Sequence, residues 1–262
     1  MGWNDLRDGN PLKDTLLNGE TAVGSFVRMS SVEVAEACAH AGCDFVIIDM
    51  EHAPVTWERA AAMVIAAESA GTVPLLRVST WSRDLITRAL DAGAHGVMIP
   101  QVETAIVTRS VVAATQYPPG GTRGTASNRR SGYGLRIPLD EYVVAANSSV
   151  FVSVQVESAV AVSNVEEIAA VEGLDCVFLG LSDLSVDLGV PGDWYHPRLV
   201  EHAERVIQAC VASGVAFGLP TPTVELAKDY VGRGARFIAT GDVGIFGRAM
   251  QDFVREVKRS SD

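Results

Sequence analysis

Apolar positions along the chain follow two alternating spacings. Short continuous apolar runs, typical of strands buried on both faces, are each followed by a longer stretch with apolar residues three and four apart, typical of amphipathic helices. The predicted strands cover residues 22–29, 45–48, 75–78, 97–99, 150–156, 176–179, 216–219 and 236–239. The predicted helices cover residues 3–19, 32–41, 57–70, 83–92, 104–116, 139–147, 159–171, 197–213, 223–232 and 244–259.

Glycine and serine mark several boundaries between these elements. Gly42 and Gly71 directly follow helical stretches, where glycine commonly ends a helix, and Ser82 is placed to cap the helix after it. Two stretches interrupt the alternation: a Gly/Arg/Ser-rich loop at 118–136 and a second loop at 185–195. Loops of this length inside a compact domain are usually functional.

Eight strand-then-helix units in succession predict a (β/α)8 TIM barrel, formed by residues 1–262 as a single domain with a short N-terminal helix. A doubly wound open sheet is the alternative. No G-x-G-x-x-G motif follows the first strand, however, and nothing else marks a dinucleotide site. In a TIM barrel the active site is built at the carboxyl ends of the strands, so the residues at those positions are the candidates for chemistry.

Composition narrows the class of partner. Hydrophobic residues make up 48% of the chain and charged residues 20%, which suffices for a buried core, and the net charge of -11 at pH 7 disfavours binding to nucleic acid or to an anionic membrane. The four cysteines lack C-x-x-C spacing and are predicted to be reduced core residues. Neither an export signal nor a membrane span is apparent. We therefore expect a cytoplasmic protein that acts on small molecules.

Polar and titratable side chains collect at the carboxyl ends of the predicted strands. In chain order they are Asp49, Glu51, His52, Arg77, Gln101, Gln155, Glu157, Ser182 and Asp183. Groups of this kind carry a desolvation cost beside apolar strands, so they are expected to pair with one another or to take part in chemistry.

Glu157 and Asp183 stand at the carboxyl ends of consecutive predicted strands. Neighbouring strands lie about 4.8 Å apart in a parallel sheet, so both carboxylates can reach one cation. Two carboxylates with open coordination positions suit a hard divalent ion such as Mg²⁺ or Mn²⁺. A structural zinc ion is not expected, because it needs closed Cys/His ligation. The alternative is an ordinary salt bridge, for example between Glu157 and Arg77.

His52 follows the second strand, and Asp49 three residues earlier can orient its ring, as a general base requires. The alternative for His52 is a helix-entry histidine with a satisfied hydrogen bond. Arg77 lies in an otherwise apolar strand and needs an anionic partner, either a carboxylate side chain or a substrate carboxylate. The long loop offers four further candidates for the far carboxylate of a substrate, unless they lie on a solvated or intersubunit surface: Arg123, Arg129, Arg130 and Arg136.

The strand-end motifs resemble those of the HpcH/HpaI family of class II, metal-dependent pyruvate aldolases, which form TIM barrels of the phosphoenolpyruvate/pyruvate type. The matching segments are residues 48–54 (IDMEHAP), 117–124 (YPPGGTRG), 155–157 (QVE) and 178–184 (FLGLSDL). One departure is the sequence GLSD within the last segment, where the family often has Gly-Pro-Ala-Asp. This change can alter the pocket wall beside a metal without removing the ligand.

The resemblance implies roles for these residues. Glu157 and Asp183 would hold Mg²⁺ or Mn²⁺, with Co²⁺ as a further option, and Arg77, Gln155 and Ser182 would contact the pyruvyl part of the substrate. A 2-oxo acid would chelate the ion through its carboxylate and keto oxygens, and the ion together with Arg77 would stabilise the pyruvate enolate that forms when the C3–C4 bond breaks. The implied reaction is the reversible cleavage of a 4-hydroxy-2-oxo acid to pyruvate and an aldehyde.

In the same reaction His52, supported by Asp49, would handle the proton through a water molecule, and the aldehyde part would be held by the 118–136 loop or by a neighbouring subunit. No lysine is predicted at a strand end for a Schiff base, because all three fall in helical stretches. They are Lys13, Lys228 and Lys258.

Two other functions remain open from the sequence. A decarboxylase of oxaloacetate-like acids needs the same ion and enolate but no base for a hydroxyl group, and a non-catalytic barrel would only bind an organic acid. The resemblance also implies a homo-oligomer, a hexamer in which terminal helices pack across subunits. An apolar stripe in the last helix would allow this, and a helix that covers its own barrel would explain it equally well. The stripe consists of Val243, Phe246, Met250, Phe253 and Val257.

Overall fold

The computed structural model describes residues 6–259, in which eight parallel strands close into a barrel in chain order. The strands are β1 (Ala22–Val27), β2 (Phe45–Asp49), β3 (Val73–Arg77), β4 (Gly96–Ile99), β5 (Phe151–Val156), β6 (Cys176–Leu179), β7 (Ala216–Pro220) and β8 (Phe237–Gly241). Parallel pairing of β8 with β1 completes the ring. The predicted (β/α)8 barrel is therefore confirmed.

Helices connect the strands and surround the barrel. They are α1 (Pro11–Leu17), α2 (Val32–His40), α3 (Trp57–Ala70), α4 (Arg83–Asp91), α5 (Ala105–Thr115), α6 (Leu139–Ser149), α7 (Ala159–Ser163), α8 (Val165–Ala169), α9 (Leu181–Asp187), α10 (Pro197–Ser213), α11 (Val224–Gly232) and α12 (Asp242–Arg259). None of them is long and apolar enough to cross a membrane.

Several predicted boundaries differ from the structure. The helix predicted at 159–171 is divided into α7 and α8, and α9 follows β6 where no helix was predicted. The first predicted helix begins outside the described residues, and its described part consists of a short 3₁₀ helix and α1. Ser82 occupies the N-cap position of α4, but its side chain makes no capping hydrogen bond. Of the four unpaired cysteines, Cys176 and Cys210 are buried, whereas the other two are only partly buried.

Phenylalanine rings fill the amino-terminal part of the barrel interior. Phe45 stacks on Phe237 with ring centroids 4.0 Å apart, and Phe151 lies 5.4 Å from the same ring. Glycines on the neighbouring strands make room for these rings. A Cβ on Gly24 would lie 2.5 Å from the Phe45 ring, and one on Gly218 would lie 2.8 Å from the Phe237 ring. The interior is therefore closely packed below the strand ends.

Every second side chain of a strand points into the barrel, and the last of these interior positions in β2 and β3 are polar. In β2 the interior side chains Phe45 and Ile47 are followed two residues later by Asp49, and in β3 Leu75 is followed by Arg77. Because the side-chain period of a strand is two residues, Asp49 and Arg77 point into the mouth of the barrel.

Candidate active site

An ion pair between β2 and β3 forms the centre of the site. Asp49 and Arg77 are register partners on these neighbouring strands. The Arg77 Nε donates to Asp49 Oδ1 at 3.0 Å and its Nη2 donates to Asp49 Oδ2 at 2.6 Å. Burial alone would raise the pKa of Asp49, but the hydrogen bonds and the charge of Arg77 hold that pKa below its ordinary value. This bidentate pair fixes the orientation of the guanidinium group.

Asp49 does not have the predicted contact with the imidazole ring of His52. Its Oδ1 accepts hydrogen bonds from the backbone N–H groups of Glu51 at 3.0 Å and His52 at 3.2 Å. The His52 ring is more than half exposed, and its Nε2 lies 3.8 Å from the Glu51 carboxylate. Asp49 therefore positions Arg77 and the backbone of the loop after β2, whereas Glu51 is the carboxylate that faces the imidazole.

A chain of hydrogen bonds continues from Arg77 across the barrel mouth. Arg77 Nη1 donates to Gln155 Oε1 at 3.2 Å, and Gln155 Nε2 donates to Glu157 Oε2 at 2.9 Å. Glu157 Oε1 accepts from the backbone N–H of Gln101 at 2.7 Å. Gln101 adopts a left-handed conformation with φ of 55°, a strained backbone of the kind that clusters at functional sites. The salt bridge between Glu157 and Arg77 is absent, because Arg77 instead pairs with Asp49 and, at 3.2 Å, with Glu51.

Three carboxylates meet at one side of the mouth. Burial, together with the charges of Asp183 and Glu51, raises the pKa of Glu157 to about 7 despite the hydrogen bond from Gln101. Burial and the charges of Asp49 and Asp183 also raise the pKa of Glu51, although Arg77 offsets part of this effect. Neighbouring carboxylates with raised pKa values carry a mutual repulsion that a bound cation would relieve.

Two cavities of about 400 Å³ each open at the carboxyl ends of the strands, and His52 and Asp183 line both of them. Glu157 lines the first cavity, which we call the acidic cavity, and Arg77, Gln155 and Ser182 line the second, which we call the basic cavity. Every strand-end residue predicted for catalysis, substrate binding or metal binding except Asp49 thus lines one of the two cavities. Asp49 is fully buried behind Arg77.

The sequence of this chain is similar to those of known proteins. The model of the HpcH/HpaI aldolase/citrate lyase family matches residues 22–246. The chain belongs to this family. It is 38% identical over 233 residues to a 4-hydroxy-2-oxovalerate aldolase of Rhodococcus jostii (strain RHA1), covering 88% of this chain and 89% of the relative. It is 39% identical over 238 residues to a 2-keto-3-deoxy-L-rhamnonate aldolase of Salmonella schwarzengrund (strain CVM19633), covering 88% of this chain and 86% of the relative.

The fold agrees with that of a solved family member. The crystal structure of an HpcH/HpaI aldolase/citrate lyase family protein from Burkholderia cenocepacia J2315 matches with a TM-score of 0.90 and 38% identity, covering 95% of this chain and 99% of that one. The resemblance found in the sequence is therefore confirmed, and the protein is a carbon–carbon lyase. The alternative of a non-catalytic barrel is wrong.

The residues at the barrel mouth fit the divalent cation that the resemblance implies. Glu157 and Asp183 offer the hard oxygen donors that Mg²⁺ and Mn²⁺ prefer. Both Glu157 oxygens accept one hydrogen bond and retain a lone pair, and the Asp183 carboxylate has no hydrogen bond or ion pair with another residue of the described 6–259 range. Gly180 allows β6 to approach closely, because a Cβ there would lie 2.4 Å from Glu157 Oε2.

The protein would supply only a few of the ligands of such a cation. Within residues 6–259, no group of three or more His, Cys, Asp and Glu side chains is arranged to hold a metal ion. Two carboxylates leave the remaining coordination positions to water and substrate, which is the usual arrangement for Mg²⁺. Asp183 supplies its carboxylate from the first turn of α9 rather than from the end of β6 itself.

The long loop lies away from this mouth. It follows the carboxyl end of α5, so it begins at the opposite end of the barrel from the strand ends. Arg123 donates to Asp91 at the end of α4 at 3.0 Å, and Arg129 pairs with Glu68 near the end of α3. No residue of 118–136 lines either cavity. Within one subunit, the prediction that this loop and its arginines hold the far part of the substrate is therefore wrong.

Two cationic residues of the basic cavity were missed by sequence analysis. Arg28 and Arg248 line this cavity together with Trp194 and Thr221. The predicted first strand extended to residue 29, which placed Arg28 inside a strand, whereas β1 ends at Val27. Arg248 lies in α12, where an isolated charge in an amphipathic helix carries no positional signal. The position of Arg28 just after a strand was the one available sign.

Proposed function

We propose that this lyase cleaves a 4-hydroxy-2-oxo acid reversibly to pyruvate and an aldehyde, with Mg²⁺ or Mn²⁺, or alternatively Co²⁺, held by Glu157 and Asp183. The observation that most supports the proposal is the continuous chain of contacts from Asp49 through Arg77 and Gln155 to Glu157. This chain joins an oriented guanidinium group to the carboxylates within one opening. The names of the relatives support the class of substrate.

A divalent cation at this position would supply Lewis-acid stabilisation for negative charge on the oxygens of a 2-oxo acid. Arg77 adds an oriented positive charge to the same end of the substrate. Three of its five N–H groups are hydrogen-bonded to Asp49 and Gln155, and the other two are left for Glu51 and a substrate oxygen. Because the guanidinium carbon also lies 4.6 Å above the Phe26 ring, the group needs little reorganisation when charge develops.

Gln155 and Ser182 complete the proposed binding of the pyruvyl part. The Gln155 amide is held between Arg77 and Glu157, and its second N–H is free to donate to a substrate oxygen. The Ser182 side chain is exposed to the basic cavity from the first turn of α9, so its hydroxyl can donate to the substrate carboxylate. These donors favour a bound carboxylate next to the oxo group.

We propose that His52 accepts the proton of the C4 hydroxyl group. Its exposed ring lies between the two cavities and 3.8 Å from the Glu51 carboxylate, which stabilises the imidazolium form after proton transfer. The C4 hydroxyl proton passes to the imidazole through a water molecule, the C3–C4 electron pair remains on C3, and the aldehyde departs. Protonation at C3 then gives pyruvate.

Substitution of His52 by Ala tests this role. We expect kcat/KM for aldol cleavage to fall about 10²-fold, the usual contribution of a general base. Decarboxylation of oxaloacetate should keep its rate, because that reaction has no hydroxyl proton to remove. Both rates are measured on the same preparation, with His202→Ala in α10, a partly exposed histidine outside both cavities, as the matched control. An equal fall in both reactions would contradict the assignment.

The activity itself is tested without knowledge of the natural aldehyde. With Mg²⁺ or Mn²⁺ present, we expect the enzyme to exchange the C3 protons of pyruvate with deuterium and to condense pyruvate with members of an aldehyde panel. Nuclear magnetic resonance follows both reactions. Absence of exchange with Mg²⁺, Mn²⁺ and Co²⁺ alike would contradict the proposal.

We also propose that the enzyme is a cytoplasmic homo-oligomer in which α12 packs against a second copy, as the hexameric assembly implied by the sequence resemblance would require. The apolar stripe of α12 is exposed, with Phe253 66% exposed, and Asp242 is the one buried residue of the described helix. This exposure supports packing against a second copy over the alternative in which the helix covers its own barrel. Exposure of such an apolar stripe to solvent is unfavourable, so we expect a partner to cover it.

Serine in place of both Phe246 and Phe253 tests the oligomer. We expect the molar mass in solution, measured by light scattering after size-exclusion chromatography, to fall to that of a smaller assembly. Asp252→Ser, on the polar face of the same helix, should leave the mass unchanged because it removes only an exposed ion pair with Arg255. An unchanged mass for the Phe246 and Phe253 variant would exclude this interface.

A further inference from the structure

Two cysteines lie next to each other where α2 ends, at the opposite end of β2 from the reaction centre. This helix ends in a Schellman motif, in which Gly42 has a left-handed φ of 90° and donates to the carbonyl oxygen of Ala39 at 2.9 Å. The backbone N–H of Cys43 donates to the carbonyl oxygen of Cys38 at 3.1 Å. The side chains at these two positions commonly touch in this motif.

The backbone closure places both cysteines within the range of a disulfide bond. With standard backbone bond lengths, the hydrogen bond between Cys43 and Cys38 limits their Cα–Cα distance to about 7 Å. Disulfides span Cα–Cα distances of about 4.4–6.8 Å. The two thiol groups are also hydrogen-bonded to each other. A bond between the two sulfur atoms therefore needs little movement of the backbone.

Other helices of the barrel end in the same motif with different residues at the two positions. The equivalent backbone hydrogen bond joins Ala67 and Thr72 after α3, Ala89 and Ala94 after α4, and Cys210 and Val215 after α10. The motif is thus a general way of ending helices in this fold, and it does not require cysteine. Within residues 6–259, a thiol occupies both positions at the end of α2 alone.

Accessibility and acidity distinguish this pair from the other two cysteines. Cys38 and Cys43 are partly buried, so a small oxidant can reach them, whereas Cys176 and Cys210 are buried. The hydrogen bond between the thiols lowers the pKa of Cys43 and raises the pKa of Cys38. Burial raises the pKa of Cys210 to about 12 and that of Cys176 well above its ordinary value. Because the thiolate is the reactive form, Cys43 is the first of the four to react.

We propose that Cys38 and Cys43 form a reversible redox modification site, at which hydrogen peroxide converts the two thiols to a disulfide. The Cys43 thiolate attacks the peroxide, the O–O bond breaks, and a sulfenic acid and hydroxide form. The Cys38 sulfur then attacks the sulfur of the sulfenic acid, the S–O bond breaks, and water leaves with the Cys38 proton. Overall two thiols are oxidised, one peroxide is reduced, and two molecules of water form.

The disulfide would fasten the connection between α2 and β2. The carbonyl oxygen of Cys43 already accepts a hydrogen bond from Thr72 Oγ1 at 2.7 Å, so this turn is also tied to the residue after α3. A covalent bond across the turn restricts the unfolded chain, and we expect it to raise the thermal midpoint of unfolding by about 5 °C. In a reducing compartment the resting form is the dithiol, and the disulfide is the transient oxidised form.

Mass spectrometry after treatment with hydrogen peroxide tests the proposal. Trypsin releases residues 29–59 as one peptide, which contains both cysteines of the pair and neither of the others. We expect this peptide, isolated without reductant, to lose about 2 Da, the mass of two hydrogen atoms, and to resist alkylation. Dithiothreitol should restore both its mass and its alkylation. The peptides that contain Cys176 and Cys210 are internal controls and should keep their free thiols.

Single variants separate the roles of the two cysteines. In Cys38→Ser we expect the sulfenic acid at Cys43 to persist and to react with dimedone, a reagent for sulfenic acids. In Cys43→Ser we expect peroxide to consume the Cys38 thiol at least tenfold more slowly than the wild-type pair, because the more acidic thiol is gone. Neither variant should show the rise in thermal midpoint after oxidation. Cys210→Ala, at the equivalent position of α10, should oxidise like the wild type.

Full alkylation of both cysteines in the peroxide-treated wild-type protein would overturn the proposal. A disulfide that joins two chains, seen by electrophoresis without reductant, would also overturn it, because the pair would then not close within one turn. Equal loss of thiols at Cys176 and Cys210 would show unselective oxidation and would count against the site as well. None of these measurements uses lyase activity, so failure of the proposed function leaves the test intact.

Discussion

Substitution of Glu157 by Gln or of Asp183 by Asn is expected to lower kcat/KM for aldol cleavage by about 10³-fold. Each change keeps the shape of the side chain and removes the charge that would hold the cation. Lewis-acid stabilisation contributes several kcal/mol, and about 1.4 kcal/mol corresponds to a factor of ten in rate. The same variants should bind Mn²⁺ at least tenfold more weakly, as measured from the electron paramagnetic resonance signal of the free ion.

The acidic cavity offers a matched control for this experiment. Glu103 lines the same cavity, but its carboxylate accepts a hydrogen bond from Ser158 at 2.9 Å and is not a proposed ligand. Glu103→Gln should keep both the affinity for Mn²⁺ and the rate within about threefold, because it removes an exposed, solvent-screened charge and no proposed ligand. If Glu157→Gln and Asp183→Asn also keep both quantities, the assignment of the ligands is wrong.

Arg77→Met is expected to lower kcat/KM by about 10²- to 10³-fold, the cost of removing one oriented donor from a developing oxyanion. It should also lower the free energy of unfolding by about 3–5 kcal/mol, because it leaves the carboxylate of Asp49 buried without its partner. Chemical denaturation measures the second effect. Loss of activity alone, with full stability, would show that Asp49 does not depend on Arg77.

The double variant Asp49→Asn with Arg77→Met separates the two effects. The Asn side chain can still accept the backbone N–H groups of Glu51 and His52, and the fully buried carboxylate of Asp49 is no longer left without its partner. We therefore expect most of the stability to return while the activity stays low. If activity returned with stability, Arg77 would have only a structural role.

The fold was predictable from the sequence because each strand-and-helix unit carries its own local signal. Short apolar runs and helical spacing survive without knowledge of which strands are neighbours. Helix α9, which was not predicted, is too short to show a helical period of apolar residues. Asp183 therefore lies in the first turn of a helix and not at a strand end as predicted. That change did not remove the residue from the mouth, because the first turn after a strand also faces it.

The partners within the site were less predictable, because they depend on strand register. Asp49 is close to His52 in sequence, and sequence proximity suggested that the two side chains interact. In the barrel the register between β2 and β3 sets Asp49 beside Arg77 instead. The pairing of β8 with β1 likewise brings Arg28 to the start of α12, and no local pattern contains that information.

The position of the long loop was deducible from chain direction alone. Loops that follow strands lie at the mouth of a TIM barrel, and loops that follow helices lie at the other end. The 118–136 segment follows a helix, so its length and glycine content gave no reason to place it at the mouth of its own subunit. Arg123 and Arg129 of this loop pair with helix-end carboxylates of α4 and α3, which is a stabilising role within the subunit.

The stacked phenylalanine rings below the strand ends have a kinetic consequence. With Phe45, Phe151 and Phe237 closing the bottom of the barrel, substrate and both products share a single entrance. In the proposed reaction pyruvate occupies the deeper position and the aldehyde the outer one. The aldehyde therefore departs first and pyruvate last, and a high concentration of aldehyde traps the pyruvate behind it and drives the enzyme toward synthesis.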